Sequence, residues 1–131
     1  MCLSQSSQSL MAPLYVVCLC AQWCGVCREW RPAFEALRDR LPPDLPVQWA
    51  WIDVEDQADD LGDYEPPDFP VLAVQRGGEL LFCAPLAQQP GVWLRLITEL
   101  AGLDAVTIAQ RAKQLAAAEL PDLRALIAGR S

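Results

Sequence analysis

The sequence contains no histidine and few basic residues. Without histidine, the chain cannot form a Ser/His or Cys/His hydrolytic dyad, and it cannot bind a metal through imidazole. One Lys and nine Arg, scattered without a basic run, stand against 17 Asp and Glu. Because phosphate binding needs clustered positive charge, this balance argues against nucleic-acid partners and against anionic membrane surfaces.

Long apolar runs are also missing. The longest, residues 10–21, is too short to span a bilayer, and the first basic residue is Arg28, so we do not find the charged leader of a signal peptide. The six cysteines make a poor disulfide framework for a secreted domain, since four of them lie within ten residues. We therefore expect a cytoplasmic protein in which one cysteine pair has a special role.

Length and composition predict one globular domain with a polar tail at its start. With 131 residues, 53% of them apolar, the chain can bury a sizeable core, and its net charge of −7 favours solubility. We expect residues 1–12 to form a disordered tail and residues 13–102 to form the domain. Residues 103–131 are expected to form a helical extension packed on the same domain.

Hydrophobic periodicity predicts alternating strands and helices. Residues 14–21 are apolar throughout, as in a strand covered on both faces, and the apolar positions of 27–41 recur in steps of three and four, as on a helix. Further strands are expected at 47–54, 71–75 and 80–83, and further helices at 57–61, 90–101, 104–118 and 121–128. This order predicts an α/β fold with a central mixed sheet of about four strands flanked by helices.

Cys24 and Cys27 follow the first predicted strand and open the first predicted helix. Unpaired N–H groups and the helix dipole favour an anion at a helix N-terminus, so a thiolate at Cys24 is stabilised there. Cys27 lies one helical turn away, close enough to attack a mixed disulfide formed at Cys24. Gly25 lets a substrate backbone approach closely. The pattern predicts a thiol–disulfide oxidoreductase in which Cys24 attacks and Cys27 resolves.

Several motifs in residues 14–101 resemble the thioredoxin family. Ala21-Gln22-Trp23-Cys24-Gly25-Val26-Cys27 is similar to the family's active-site motif, and Pro32 matches the proline of its active-site helix. Trp51-Ile52-Asp53 is similar to a strand of the family that ends in Asp. Asp68-Phe69-Pro70-Val71 is similar to the family's cis-proline segment.

The resemblance implies a thioredoxin-like fold with an activity that reduces or exchanges protein disulfides. It implies that the Phe69–Pro70 bond is cis and lies against the cysteine pair. The residues it assigns to substrate binding are Trp23, Gly25, Val26, Phe69 and Pro70. The implied partners are disulfide-containing client proteins and an external thiol reductase or other electron donor. No metal or organic cofactor is implied, only the redox-active disulfide Cys24–Cys27.

Three features depart from the family pattern. Cys18 stands where the family has a buried acid beneath the second cysteine, and Trp49 stands where it has the Lys partner of that acid, so its proton relay is absent or rebuilt. Val26 replaces the usual Pro between the cysteines, at a position that tunes the redox potential. Few residues precede the first strand, so we expect a minimal N-terminus, closer to a glutaredoxin core in strand count, whose exposed surface the tail helices cover.

Other interpretations remain open for several features. Cys18 and Cys20 alternate on a strand and are expected to be inert core residues, and the competing hypothesis is a four-thiolate zinc or iron–sulfur site with Cys24 and Cys27. The acidic stretch 55–68 is expected to be a solvated surface, or else a rim that favours basic partners. The tail is an extra packing layer or a surface for a dimer or partner. The alternative function is a thioredoxin-like binding or redox-sensing module with little turnover.

Overall fold

The computed structural model describes residues 12–21, 25–115 and 119–129. Four strands and five α-helices follow one another along these residues: β1 Leu14–Cys20, α1 Gly25–Leu37, β2 Val47–Asp53, α2 Ala58–Leu61, β3 Val71–Arg76, β4 Glu79–Pro85, α3 Pro90–Ala101, α4 Ala105–Gln114 and α5 Leu123–Gly129. None of the helices in these ranges is both long enough and apolar enough to cross a membrane.

The four strands form one mixed sheet in the order β2-β1-β3-β4. β1 pairs in parallel with β2, and this pairing requires a long crossover, which contains α1. β1 pairs antiparallel with β3, which turns back into β4 at Gly77, a residue with φ of 57°. β1 is buried along its whole length because it has a strand on each side and helices on both faces. The α/β fold expected from the sequence is confirmed.

Several helix boundaries differ from the sequence prediction. α1 begins at Gly25 and ends at Leu37, where a 3-10 turn over Arg38–Arg40 continues the chain. α4 ends at Gln114, and residues 116–118 of the predicted helix lie outside the described ranges. The last helix begins at Leu123 rather than at position 121, because the side chain and the carbonyl of Asp122 accept hydrogen bonds from the first N–H groups of α5.

An aromatic cluster joins α1 and α3 to one face of the sheet. Phe34 of α1 is fully buried and stacks on Trp49 of β2, with ring centroids 4.7 Å apart. Trp93 of α3 makes an edge-to-face contact with Phe34 at 5.8 Å, and Trp30 lies 4.8 Å from Trp93. The Trp49 indole N–H also donates to the Phe34 carbonyl at 3.1 Å. These contacts fix the position of α1 over the sheet.

The opposite face of the sheet is covered by α2 and by the C-terminal helix α5. Leu61 of α2 and both Leu123 and Leu126 of α5 are buried there. They pack with the apolar residues that alternate to this face from β1, β2 and β3: Tyr15, Val17, Leu19, Ala50, Ile52, Val71 and Ala73. The sheet is therefore sandwiched between two helical layers, one of which comes partly from the end of the chain.

Gln75 ties β3 to the start of α5. Its Nε2 atom donates to the Gly77 carbonyl at 2.7 Å and to Asp122 Oδ1 at 2.6 Å, and its Oε1 atom accepts from the Leu123 N–H at 2.9 Å. Asp122 also accepts from the Arg124 guanidinium at 2.6 Å. The hydrogen bonds from Arg124 first, and then from Gln75, hold the pKa of the Asp122 carboxyl well below its usual range.

Truncation of Phe34 is expected to be among the most damaging changes in this fold. Phe34→Ala should lower the free energy of unfolding by about 3–5 kcal/mol, because it removes a buried ring and leaves a cavity between α1 and the sheet. Val92→Ala, on the exposed side of α3, should change it by less than about 0.5 kcal/mol. Urea unfolding of both variants measures the difference, and equal losses would contradict the role given to the aromatic cluster.

Removing the charge of Asp122 should weaken the attachment of α5 in a pH-dependent way. A carboxyl whose pKa is lowered by folding stabilises the fold above its unfolded pKa of about 3.9, and this stabilisation is lost as the pH falls through the folded pKa. Asp122→Asn should therefore cost up to about 1 kcal/mol at pH 7, since the Arg124 pair is half exposed and screened. The cost should shrink steadily below about pH 3.9 in urea unfolding. The same substitution at the exposed Asp39, Asp39→Asn, is the matched control. A loss of stability in Asp122→Asn that does not vary with pH would contradict this explanation.

Candidate functional site

β1 ends and α1 begins at one edge of the sheet, and two cysteines at this junction are bonded to each other. A disulfide joins Cys20, the last residue of β1, to Cys27 in the first turn of α1. Their Cα atoms are 5.8 Å apart, a usual separation for such a bond, and both side chains are fully buried. Cys20 is held by its pairing with Asp53 and by a 2.8 Å hydrogen bond from the Val54 N–H to its carbonyl.

The sequence predicts that Cys20 is buried and chemically inert. The first part is confirmed, and the second is wrong because Cys20 forms a disulfide. Strand alternation places Cys20 on the same face as Cys18, and its place at the end of β1 brings it under the first turn of α1. A cysteine on the face that α1 covers, at the last position of the strand before a CxxC helix, is the signal that identifies this pairing. Trp23 and Cys24 lie outside the described residues, so the Cys24–Cys27 pair stays a prediction. Here, Cys27 is bonded to Cys20 instead.

The segment before β3 lies beside this junction. The Phe69–Pro70 peptide bond is cis, the isomer that the resemblance implied. Val71 pairs with Leu19 in the antiparallel register, which puts Pro70 next to the end of β1. Pro70 is buried, and its carbonyl accepts a 3.1 Å hydrogen bond from the Leu86 N–H. The chain before β3 is therefore fixed at the edge of the sheet that carries the cysteines.

A cleft of about 310 Å³ borders the cis-proline. Residues 68–70 form one wall and residues 85–88 form the other. Phe69 is half-buried and Pro70 is buried in this wall. The structure thus places the two predicted substrate residues of this segment together, at the edge of the sheet where Cys27 lies.

The start of α1 is open to an approaching molecule. Gly25 is exposed, and among the residues that the structure describes a Cβ atom at this position would come within 4 Å of the Arg28 Nη2 atom alone, at 4.0 Å. Val26 belongs to the same first turn of α1. The guanidinium of Arg28 therefore lies close to the N-terminal end of α1, where the helix dipole already favours negative charge.

Cys18 and Trp49, near the disulfide, are uncharged side chains that contribute to apolar packing. Cys18 is fully buried in the apolar cluster that contains Phe34 and Trp93. Burial raises the pKa of the Cys18 thiol far above its ordinary value, and the Trp30 indole only partly offsets this. Trp49 stacks on Phe34 instead of supplying a charge. At these two positions, where the sequence already departs from the family's acid and Lys, the structure shows apolar packing.

The geometry does not support the four-thiolate metal site. Cys20 and Cys27 are bonded to each other, and a disulfide offers no thiolate ligands. Within the described ranges, no group of three or more His, Cys, Asp or Glu side chains is arranged to hold a metal ion.

The acidic stretch forms an exposed surface beside the cleft. Its seven carboxylate residues are all exposed: Glu55, Asp56, Asp59, Asp60, Asp63, Glu65 and Asp68. This burial pattern agrees with a solvated surface. Asp68, the last of the seven, also lines the cleft beside Pro70.

The profile of the thioredoxin family matches residues 5–89. The match covers more than half of the chain and includes the cysteine junction and the cis-proline segment. The chain belongs to the thioredoxin family. A comparison with curated protein sequences gives no match.

Three solved structures show how this thioredoxin-family chain compares with proteins of similar fold. Zinc-bound human ERp44 is 20% identical with a TM-score of 0.59 over 74% of this chain, but the chain spans only 30% of ERp44. Oxidised mitochondrial thioredoxin 3 of Saccharomyces cerevisiae is 19% identical with a TM-score of 0.56, over 75% of this chain and 89% of that one. The germline-specific thioredoxin Deadhead of Drosophila melanogaster is 17% identical with a TM-score of 0.58, over 75% and 90%. At these identities the likeness shows the fold.

Replacing Cys18 by Asp tests whether this part of the core accepts the family's acid. Burial among apolar side chains should raise the pKa of the new carboxyl, so the folded state keeps a proton that the unfolded state releases above a pH of about 4. Cys18→Asp should then cost about 1–3 kcal/mol near neutral pH, and the loss should shrink as the pH falls towards about 4.

The neutral isostere Cys18→Asn is the matched control for this prediction. Its loss of stability should not vary with pH, because the amide does not titrate. Urea unfolding at several pH values measures both losses. Parallel pH profiles for the two variants would mean that the introduced carboxyl finds a partner or reaches solvent.

Proposed function

We propose that the protein is a thiol–disulfide oxidoreductase that reduces or exchanges disulfides of client proteins. The observation that carries this proposal is the disulfide at Cys27, a bond made in the first turn of the helix and beside a cis-proline. Membership of the thioredoxin family supports the same chemistry.

In the proposed reaction Cys24 is the attacking thiol. It directly precedes Gly25, where α1 begins, so the helix dipole and the Arg28 guanidinium would favour its thiolate. The thiolate attacks one sulfur of a client disulfide, a mixed disulfide forms, and the other client sulfur leaves as a thiolate. Cys27 then attacks Cys24 Sγ and releases the reduced client, and the protein is left oxidised.

Client binding is proposed for the cleft beside Pro70. A client segment held along 68–70 would lie at the sheet edge where Cys27 is placed, and the absence of a side chain at Gly25 would let its backbone come close. Trp23 and Val26 are proposed as the remaining contacts. The exposed carboxylates of 55–68, which reach the cleft at Asp68, would favour clients with basic residues near their disulfides.

The cycle as proposed uses no metal or organic cofactor. The electrons that restore the dithiol would come from an external thiol reductase or a low-molecular-weight thiol. A reducing compartment such as the cytoplasm suits this direction of electron flow.

A redox-sensing module with little turnover is the second candidate. It is favoured by one observation, the burial of both Cys20 and Cys27 in the bonded state, because an external thiol cannot reach either sulfur directly. A sensor would become oxidised and stay oxidised. An oxidoreductase would be reduced again by its electron donor and would turn over repeatedly with its clients.

Insulin reduction with dithiothreitol as donor separates the two candidates. The wild type should accelerate reduction over many turnovers, whereas Cys24→Ser should leave only the uncatalysed rate. Cys27→Ser, reduced and then freed of dithiothreitol before it is mixed with insulin, should accumulate a mixed disulfide with an insulin chain, visible on a non-reducing gel, because Cys24 can still attack but no resolving thiol is left. Cys83→Ser, which changes a free thiol of the outer strand β4, is the control and should behave as the wild type. Absence of turnover by the wild type would favour the sensor, and equal trapping by Cys24→Ser would overturn the assigned roles.

A further inference from the structure

We propose that Cys20 is a third redox-active cysteine, which bonds to Cys27 after the Cys24–Cys27 pair has been oxidised and so returns Cys24 to the free thiol. This inference rests on the proposed function, because it starts from a Cys24–Cys27 disulfide formed by reaction with a client. It assigns to the oxidised protein a buried disulfide together with an available nucleophile at Cys24.

The backbone is already arranged for this bond. Cys20 and Cys27 have a Cα separation of 5.8 Å, within the usual range for disulfides. Cys20 lies in a strand end fixed by pairing to Asp53, and Cys27 lies in a helix fixed by the aromatic cluster around Phe34. Both cysteines therefore belong to rigid elements. Cys24 lies between them in the sequence.

The burial of the two sulfurs determines how this disulfide can form and break. Both side chains are fully buried, so a client disulfide or an external thiol cannot contact either sulfur without local opening of the fold. Cys24 is three residues from Cys27 and directly precedes α1, which makes it the natural exchange partner. An exchange that passes through Cys24 needs no external reagent at the buried site.

The exchange step balances without a further oxidant. The Cys20 thiolate attacks Cys27 Sγ of the Cys24–Cys27 disulfide, the Cys20–Cys27 bond forms, and the Cys24–Cys27 bond breaks with Cys24 leaving as a thiolate. One proton is lost from Cys20 and one is taken up at Cys24 when it protonates. The protein stays oxidised by two electrons throughout, and only the position of the disulfide changes.

Cys18 lies on the same strand face but is not placed for this step. It is a buried thiol two residues earlier on β1, surrounded by the apolar cluster beneath α1. The structure leaves it unbonded while Cys20 is bonded. Cys18→Ser is therefore the matched control for Cys20→Ser: the same change, on the same strand and face.

The consequence of the exchange is a change in what the oxidised protein can do. A conventional oxidised pair has no free nucleophile, but the Cys20–Cys27 form leaves Cys24 able to attack a second client. Because Cys27 is then occupied, it cannot resolve that mixed disulfide, and the client is held until one of its own thiols attacks. The oxidised protein would thus hold or rearrange client disulfides, while the reduced protein would reduce them.

Disulfide mapping of the full-length wild type tests the proposal directly. The reduced protein is oxidised with one equivalent of diamide, left to equilibrate, alkylated in denaturant and cut with chymotrypsin. Cleavage after Trp23 separates Cys20 from the peptide that carries Cys24 and Cys27. A Cys20–Cys27 bond then links two peptides and leaves Cys24 alkylated, whereas a Cys24–Cys27 bond stays within one peptide and leaves Cys20 alkylated.

We expect the Cys20–Cys27 link in the majority of oxidised molecules. A majority of the Cys24–Cys27 form at equilibrium, or of any bond that leaves Cys20 alkylated, would overturn the proposal. This measurement does not depend on catalytic turnover, so it can fail while insulin reduction succeeds, or succeed while insulin reduction fails. It also needs no variant, so it stands even if a substitution at Cys20 prevents folding.

Labelling of the folded, oxidised protein with iodoacetamide provides the second readout. Cys24 should be alkylated at least about tenfold faster in oxidised wild type and in oxidised Cys18→Ser than in oxidised Cys20→Ser, where the Cys24–Cys27 bond has no competitor. Circular dichroism confirms that each variant is folded. Equal protection of Cys24 in all three proteins would show that Cys20 does not take over Cys27.

Discussion

The attachment of α1 to the sheet is the contact on which the rest of this structure depends. Phe34 lies at the middle of the contact, stacked on Trp49 of β2 and touched edge-to-face by Trp93 of α3. Because the helix is fixed at this point, its first turn is held over the end of β1. That placement brings Cys27 to Cys20 and sets the exposed Gly25 backbone at the open side of the junction. The chemistry of the site is therefore positioned by apolar packing a few residues away from it.

The same packing explains how the core is stabilised without a buried charge. Taking an ion pair out of water costs several kcal/mol per ion, and mutual attraction offsets this only with good geometry. At the two positions that match such a pair in the family, this chain has Cys18, a buried neutral thiol, and Trp49, a stacked indole. Dispersion contacts and apolar burial stabilise the core at these positions. In return, the core lacks a buried carboxylate that could accept a proton near neutral pH. A second buried cysteine, Cys20, joins this core to the start of α1 through its disulfide with Cys27.

Local signals in the sequence identified several elements correctly because their causes are local. The Gly-Gly turn between β3 and β4 needs a positive φ, which Gly77 provides. Asp104 caps α4 by accepting the Thr107 N–H at 2.8 Å, as its place before the helix predicts. Prediction of the last helix was less accurate, since Asp122, which caps its start, is itself held by Gln75, a residue 47 positions earlier whose amide donates to the Asp122 carboxylate.

The sequence by itself determined the fold class, the order of the strands and helices, and the part of the chain that carries the cysteine chemistry. These follow from apolar periodicity, turn residues and the spacing of Cys24 and Cys27, all of which act over a few residues. Only the tertiary structure decided which cysteine Cys27 is bonded to, because a bond to Cys20 requires the strand end and the helix start to meet in space. It also decided that the C-terminal helix covers the second face of the sheet, since that packing joins residues more than a hundred positions apart, such as Tyr15 and Leu126.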